Sequence, residues 1–250
     1  MRVSRLFVRE NLTIGETLRL DADRAHYLRS VLRIRAGQIC HIFNGRGGAF
    51  SATVLAISKR QVLLDLNAFM DDDRESPLQT HLGIGIVRSS AMDESLGHAT
   101  ELGATHITPL QCEYSQLGQR QNTRQRMNRW QQVIISAAEQ CGRNQLPELH
   151  PITPLDAWYT KAEYRLVAHP GVKGPISRSN TPTSVALAVG PEGGFSAGDL
   201  EQLKARGFNS IGLGPRILRT PTAALAMLAV AQSLWGDVDS SRQSRDQSSI

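Results

Sequence analysis

Two stretches in the C-terminal third of the sequence share one order of hydrophobic and polar positions, a short apolar run, a Gly/Pro loop and then a helical pattern. Residues 185–189 are continuously apolar with β-branched ends, which predicts a strand covered on both faces. Ser196 and Asp199 form a capping-box pattern that predicts a helix from Ala197. Residues 211–228 repeat the order, with Thr220 predicted as the N-cap, Pro221 in the first helical position and an apolar helix over 223–231.

The same kind of pattern divides the rest of the chain into two regions. From residue 81, predicted strands at 82–87, 107–110 and 166–168 alternate with predicted helices at 91–102 and 123–141 and a capping box at 153–156 that opens a short helix. This alternation predicts an α/β domain with a parallel sheet covered by helices. Before it, predicted strands at 6–8, 39–43, 50–57 and 62–69, a helix at 22–32 after Asp21 and a glycine turn at 44–48 indicate a compact β-barrel.

A run of charges ending at Pro77 separates the two regions and is typical of an exposed linker. We therefore expect a first domain at 1–72 and a second at 73–236. Residues 237–250 are rich in Ser, Asp, Arg and Gln without an apolar pattern, and we expect a disordered tail there.

Composition narrows the class of protein. Of the 250 residues, 40% are hydrophobic, which is enough for a sizeable core. The N-terminus lacks the pattern of a signal peptide and no stretch approaches the length of a membrane span, so we expect a cytoplasmic protein without a membrane partner. The three cysteines are far apart, which fits a reducing compartment, and the seven histidines show no ligand spacing, so no metal site is predicted.

Positive charge is concentrated at the N-terminus. The net charge is +5, and eight arginines lie within the first 35 residues, at positions 2, 5, 9, 19, 24, 29, 33 and 35. On the predicted helix, His26, Arg29 and Arg33 are three and four residues apart and share one face. Such a face is either simply solvated or docks on a polyanion such as RNA, whose phosphates suit the guanidinium fork.

The two Gly/Pro loops follow predicted parallel strands, and two such loops at the carboxyl ends of strands predict a cofactor cleft. A pair of purely structural turns is the alternative. Neither loop is a standard nucleotide motif, because Ile217 stands where the dinucleotide fingerprint has its third glycine and no Walker Lys-Ser or Lys-Thr follows either loop.

The loop sequences resemble those of a known family. Gly-Pro-Glu-Gly-Gly-Phe at 190–195 and Leu-Gly-Pro-Arg-Ile-Leu-Arg at 213–219 are similar to the RsmE-type ribosomal RNA methyltransferases of the SPOUT superfamily. Residues 26–33, 99–104 and 137–143 match the same family. The resemblance implies a C-terminal domain with a trefoil knot, a PUA-like N-terminal β-barrel and a homodimer. It also implies S-adenosyl-L-methionine (SAM) bound among the knot loops, and methylation of N3 of a uridine in 16S rRNA, either free or within the small ribosomal subunit.

The resemblance also suggests site residues. The SAM-binding positions would be His169, Gly190, Pro191, Gly193, Gly194, Leu213, Gly214, Ile217 and Leu218. For catalysis we expect Glu192 as a base and Arg219, or Arg216, as the cation that stabilises charge developing on the uracil. The RNA-binding positions would be Arg5, Arg9, Arg24, His26, Arg29, Arg33 and Arg143.

Three positions depart from the family pattern. Arg88-Ser89 replaces a Lys-Gly pair, His98 replaces a lysine, and Pro221 replaces a glutamate beside the second loop. Because Pro221 removes a carboxylate, two alternatives stay open. One is a non-catalytic RNA-binding or ribosome-assembly factor, and the other is a SPOUT methyltransferase that acts on tRNA.

Overall fold

The structure is a computed structural model, and it describes residues 3–72, 74–116, 122–172 and 181–238. The chain forms two compact units. The first comprises Met1–Glu75 with Ala138–Leu146, and the second comprises Ser76–Ala137 with Pro147–Ile250. The predicted division at 72/73 stays a prediction. It assigned residues 138–146 to the second domain, whereas in the structure they belong to the first unit. Most of the predicted tail, from residue 239 on, lies outside the described residues.

A five-stranded sheet forms the framework of the first unit. Its strands are β1 (Ser4–Phe7), β2 (Thr17–Leu20), β3 (Ile39–Phe43), β4 (Ala49–Ile57) and β5 (Val62–Met70), in the order β1-β3-β4-β5-β2. β1 pairs parallel with β3, and the other neighbours are antiparallel. Inward-facing aliphatic side chains such as Leu6, Ile42 and Leu64 are fully buried and form the core with Leu28. The hydrophobic pattern of the sequence predicted every strand of this sheet except β2.

The predicted helix at 22–32 is an α-helix only in its first turn and a half. Asp21 caps it, since its Oδ1 accepts a hydrogen bond from the Arg24 amide at 3.0 Å. α1 spans Ala22–His26, and the chain continues as a π-helical turn over Tyr27–Val31. Arg33 follows with a φ of 54°. The α-helical spacing that placed Arg33 on one face with His26 and Arg29 therefore does not apply.

Hydrogen bonds of Glu139 and Arg143 attach residues 138–146 to the rest of the first unit. Glu139 accepts hydrogen bonds from the Phe7 amide at 2.9 Å and from the Tyr27 hydroxyl at 3.0 Å. Arg143 donates from Nε and Nη2 to Glu75 at 2.9 and 2.6 Å, and Arg5 donates to the Arg143 carbonyl at 3.0 Å. These bonds hold the segment against β1 and the π-helical turn.

The second unit is built on a parallel sheet, as predicted. Its strands are β6 (Gln79–Gly85), β7 (His106–Gln111), β8 (Glu148–Leu149), β9 (Thr153–Pro154), β10 (Tyr164–Ala168), β11 (Ser184–Val189) and β12 (Asn209–Ile211). The main path runs β12-β10-β11-β6-β7-β8, with β9 also paired to β7. β11 lies inside the sheet, and its apolar residues are all buried, which explains its continuous apolar run.

The helices of this unit are α2 (Ser89–Glu101), α3 (Thr123–Cys141, whose last turn belongs to the first unit), α4 (Ala197–Ala205) and α5 (Thr220–Trp235). α5 packs against α2, β6 and β11. The predicted capping box at 153–156 is wrong, because the Thr153 hydroxyl donates to the Pro151 carbonyl instead. Only a 3-10 turn, Leu155–Ala157, follows it. Among the described helices, none is both long and apolar enough to cross a membrane.

Candidate active site

A cavity of about 410 Å³ opens where β10, β11 and β12 end. These three strands are neighbours in the parallel sheet, so the loops that follow them meet at the same edge. The wall of the cavity is formed by residues from all three loops and the start of the last helix: Ala168, His169, Pro170, Val189, Gly190, Pro191, Glu192, Gly193, Gly194, Phe195, Leu213, Gly214, Arg216, Ile217, Leu218, Thr220 and Ala223. The carboxyl edge of a parallel sheet is the place where α/β proteins bind ligands, and the volume suits a small organic molecule.

The loop after β11 forms one side of the cavity. A tight turn closes where the Gly194 amide donates to the Pro191 carbonyl at 2.8 Å. Gly194 has a φ of 74°, a conformation that side chains with a Cβ rarely adopt. The loop then enters α4 through the predicted capping box, in which the Ser196 hydroxyl accepts from the Asp199 amide at 3.0 Å and Asp199 accepts from the Ser196 amide at 3.1 Å.

Thr220 joins the two loops. The sequence predicts it as the N-cap of the last helix, but the N-cap is Arg219 and Thr220 is the first residue of α5. Its hydroxyl instead donates to the carbonyl oxygen of Gly190 at 3.0 Å. The prediction of its role was wrong because a threonine before a proline gives the ordinary signal of a cap. The hydrogen bond holds the start of α5 against the end of β11.

The loop after β12 forms the opposite side. Gly212 lies so close to the Val172 carbonyl that a Cβ at this position would overlap it. Beyond it, Leu213, Ile217 and Leu218 line the cavity with apolar side chains. Ile217 is 86% exposed, an unusual state for a large aliphatic group. A ligand in the cavity would remove that apolar surface from water.

Polar groups are few in the cavity and differ in their partners. Glu192 is exposed, and its Oε1 lies 3.4 Å from the Arg88 amide, which is a long hydrogen bond. The ring of His169 has a buried Nδ1 that meets no hydrogen-bond partner within the described chain. Arg216 lines the wall, whereas Arg219 and Pro221 do not.

The cavity therefore brings together all nine positions suggested for SAM, together with Glu192. It adds seven positions that the sequence did not single out for binding: Ala168, Pro170, Val189, Phe195, Arg216, Thr220 and Ala223. Most of these flank positions that were predicted, so proximity along the chain is the signal that would have found them. Thr220 and Ala223, both in α5, are the exceptions, and Thr220 reaches the first loop through a bond that spans 30 residues.

The positions suggested for RNA fall into two groups. Arg9, His26, Arg29 and Arg33 are exposed and Arg24 is half-buried, all in the first unit. Arg143 is only 5% exposed and is bound by Glu75. Arg5 is half-buried and also donates to Asn144 Oδ1 at 2.6 Å. The side chains of Arg5 and Arg143 are thus engaged in hydrogen bonds within the first unit.

Comparison with protein-family models gives two matches that cover most of the chain. Residues 74–232 match an RNA methyltransferase domain, and residues 20–67 match an RNA methyltransferase PUA domain. A curated relative, ribosomal RNA small subunit methyltransferase E of Buchnera aphidicola subsp. Schizaphis graminum, is 32% identical over 245 residues, which is 95% of this chain and 98% of that protein.

The chain belongs to the ribosomal RNA small subunit methyltransferase E family. Two solved structures show the same fold. A methyltransferase of Legionella pneumophila with bound SAM is 34% identical, with a TM-score of 0.90 over 95% of this chain and 100% of that one. The methyltransferase E of Neisseria gonorrhoeae, bound to SAM, is 33% identical, with a TM-score of 0.87 over the same shares. The predicted fold class, an α/β methyltransferase domain with a β-rich PUA-like domain, is confirmed.

We expect Thr220→Val to destabilise the second unit. The substitution keeps the shape of the side chain but removes the hydroxyl that serves the Gly190 carbonyl, which should lower the free energy of unfolding by about 1–2 kcal/mol. Urea denaturation measures this, and Thr220→Ser, which keeps the hydroxyl, is the matched control. If the valine variant unfolds at the wild-type urea concentration, the bond does not hold the loops together.

Proposed function

We propose that this protein methylates N3 of a uridine in 16S rRNA, with SAM as the methyl donor. The observation that carries the proposal is the cavity that both glycine loops build at the carboxyl ends of β10, β11 and β12. The family to which the protein belongs gives the reaction class, and the two similar structures with bound SAM support the choice of cofactor. The methylation reaction would take place in the cytoplasm, where ribosomal subunits assemble.

The wall of the cavity fits SAM in its chemistry. Leu213, Ile217 and Leu218 offer apolar surface for the adenine ring, and the glycines of the first loop expose backbone amides and carbonyls that can recognise polar edges. The unpartnered Nδ1 of His169 supplies a further polar contact. When bound, SAM supplies a methyl group carried on a sulfonium, and the protein has to orient it and present a nucleophile.

Transfer to uridine N3 requires the loss of the N3 proton, which is in place at neutral pH. Among the described residues that line the cavity, Glu192 carries the only carboxylate, and its side chain is exposed. We assign Glu192 the role of proton acceptor. Arg216 in the wall, together with Arg219, the N-cap residue of α5, would stabilise the negative charge that develops on the uracil oxygens.

The first unit would dock the RNA. Arg9, His26, Arg29 and Arg33 are exposed, and the described side chains include no carboxylate paired with them. Arg29 lies on the π-helical turn, an uncommon element that often marks functional sites. Contacts of this kind bind phosphates and set the register of the RNA, while its shape supplies much of the specificity. Arg143 is not part of this surface, because Glu75 occupies its guanidinium.

A homodimer through α5 would complete the arrangement. One side of α5 packs on the sheet, while Leu225, Ala226, Ala229, Val230 and Leu234 are only half-buried. Their spacing of three and four residues makes one apolar stripe along the helix. A second copy of the chain would cover it.

The non-catalytic rival loses part of its support, and an experiment separates each rival from the proposed enzyme. Pro221, which motivated the non-catalytic factor, is buried at the first turn of α5 and does not line the cavity. Calorimetry separates that rival from the enzyme, since a binder without a cofactor would have no affinity for SAM or its demethylated product. An enzyme that modifies tRNA would bind SAM but leave the rRNA unchanged.

Deletion of the gene should remove 3-methyluridine from 16S rRNA. Mass spectrometry of nucleosides from purified small-subunit rRNA and from tRNA measures the loss. The wild-type gene should restore the nucleoside, while Ile217→Asp, which places a charge in the apolar wall, should not. Val3→Asp, at an exposed aliphatic position of the first unit, is the matched control and should restore it. Loss of a methylated nucleoside from tRNA alone would refute the proposed substrate.

Replacing Arg29 and Arg33 by alanine should weaken RNA binding without changing SAM affinity. Each lost phosphate contact should reduce the slope of log Kd against log salt concentration by about one. Filter binding to a 16S rRNA fragment at several salt concentrations measures the slope. Arg60→Ala, an exposed arginine in the turn between β4 and β5, is the control. An unchanged slope in the double variant would remove these arginines from the interface.

Sedimentation equilibrium should give twice the chain mass of 27.4 kDa. Val230→Asp should shift the protein to the monomer, because the apolar stripe of α5 would then carry a charge. Ser233→Asp, at the exposed edge of the same helix, should remain more dimeric than Val230→Asp. A monomeric wild type would exclude the dimer.

A further inference from the structure

Three histidines and a glutamate form a cluster on β6, β7 and β8: His81, His106 and Glu148 lie near the amino ends of these strands, and His150 directly follows the short β8. The register of the ladders pairs His81 on β6 with His106 on β7, and His106 with Glu148 on β8. Paired residues on neighbouring strands share a face of the sheet, and residues two apart on a strand do so as well. His150, two residues after Glu148, therefore joins the same row. The sheet thus assembles a group whose members are up to 69 residues apart.

The distances within the group are short. His106 Nδ1 lies 3.2 Å from His150 Nε2 and 3.5 Å from Glu148 Oε2, and Glu148 Oε1 lies 3.7 Å from His150 Nδ1. One ligand atom from each of the three residues lies within 4.8 Å of the others. The two contacts of Glu148 are longer than usual N–H···O hydrogen bonds. Ligand atoms about 2.0–2.1 Å from a tetrahedral zinc ion are themselves about 3.3–3.4 Å apart. The distances from His106 Nδ1 to His150 Nε2 and to Glu148 Oε2, 3.2 and 3.5 Å, are close to that separation.

The three side chains remain accessible from solvent. His106, Glu148 and His150 have side chains that are 40%, 66% and 30% exposed. An ion can therefore enter without unfolding the sheet and can keep water in its remaining coordination positions. Two imidazoles and one carboxylate are a set of ligands that zinc uses where a coordination position stays open, and hard cations such as Mg²⁺ prefer all-oxygen sites.

A third histidine, the half-buried His81, packs beside the proposed ligands. His81 Nε2 lies 2.7 Å from the Thr108 hydroxyl and 3.4 Å from Trp158 Nε1, and its ring stacks at 30° to that of His150, with centroids 5.3 Å apart. His81 therefore contacts a proposed ligand ring on one side and the side chains of Thr108 and Trp158 on the other.

We propose that His106, Glu148 and His150 form a binding site for a divalent transition-metal ion of the zinc type. Its place in the fold suggests a structural effect. β8 has only two residues, and the described backbone bonds around it run from the Glu148 amide to Thr105 and from the His150 amide to Ile107, each at 2.9 Å. A shared ion would fasten this short edge strand to β7.

Calorimetry with Zn²⁺ tests the site in the full chain, purified without a histidine tag and freed of metal by a chelator. We expect one zinc ion per chain, no saturable binding of Mg²⁺, and a rise in the thermal unfolding temperature when zinc is added. His106→Gln and His150→Gln should each weaken zinc binding at least tenfold and abolish the rise in temperature. His26→Gln, an exposed histidine of the first unit, is the matched control and should leave zinc affinity and the rise in unfolding temperature unchanged.

Glu148→Gln guards against misfolding, because this side chain is the most exposed of the three. It keeps the size of the side chain but removes the charge, and we expect weaker zinc binding with an unchanged far-UV circular dichroism spectrum. SAM affinity should be the same in all variants, since none of the three residues lines the cavity. Absence of saturable zinc binding by the wild type, or equal affinity in the His106/His150 double variant, would overturn the proposal.

Discussion

One hydrogen bond, from the Thr220 hydroxyl to the Gly190 carbonyl, connects the two halves of the candidate active site. The first loop is fixed locally by its turn at Pro191–Gly194, and the second is fixed by the close approach of Gly212 to Val172, 40 residues earlier in the chain. Neither loop encloses a volume by itself. Because α5 starts at Thr220 and packs against β6 and β11, its position sets how far the second loop lies from the first. The cavity therefore depends on a contact that links the tertiary packing of α5 to the end of β11.

The parallel sheet separates two kinds of chemistry. All strands point the same way, so their carboxyl ends collect the glycine loops, and this is where the cavity lies. Their amino ends collect side chains held in register, which brings His81, His106 and Glu148 into one row. A binding site built from loops and a cluster built from strand register can thus coexist in one domain without sharing a residue.

The sequence predicted features that are encoded by neighbouring residues. The Ser196–Asp199 capping box and the buried strand β11 are of this kind, and both are confirmed. Short strands such as β8 and β12 carry too few residues for a period to show, so their partners define them. The burial of Arg143 depends on Glu75, 68 residues away, and residue type alone could not distinguish it from the exposed Arg29. Likewise, no local spacing relates His106 to His150, and the sequence predicted no metal site.

In the proposed mechanism, Pro221 limits which residues of the cavity can supply acid–base chemistry. At the first turn of α5 its missing amide costs nothing, and its buried ring stabilises the helix start, but it brings no carboxylate. In the described wall, Glu192 on the opposite loop is then the remaining acid, while the cations Arg216 and Arg219 belong to the second loop and the start of α5. In the proposed mechanism, a base on one loop and cations on the other would act on the same ring at a fixed separation. The Thr220–Gly190 bond holds the two loops at that separation, so a change there should affect catalysis even though Thr220 carries no charge.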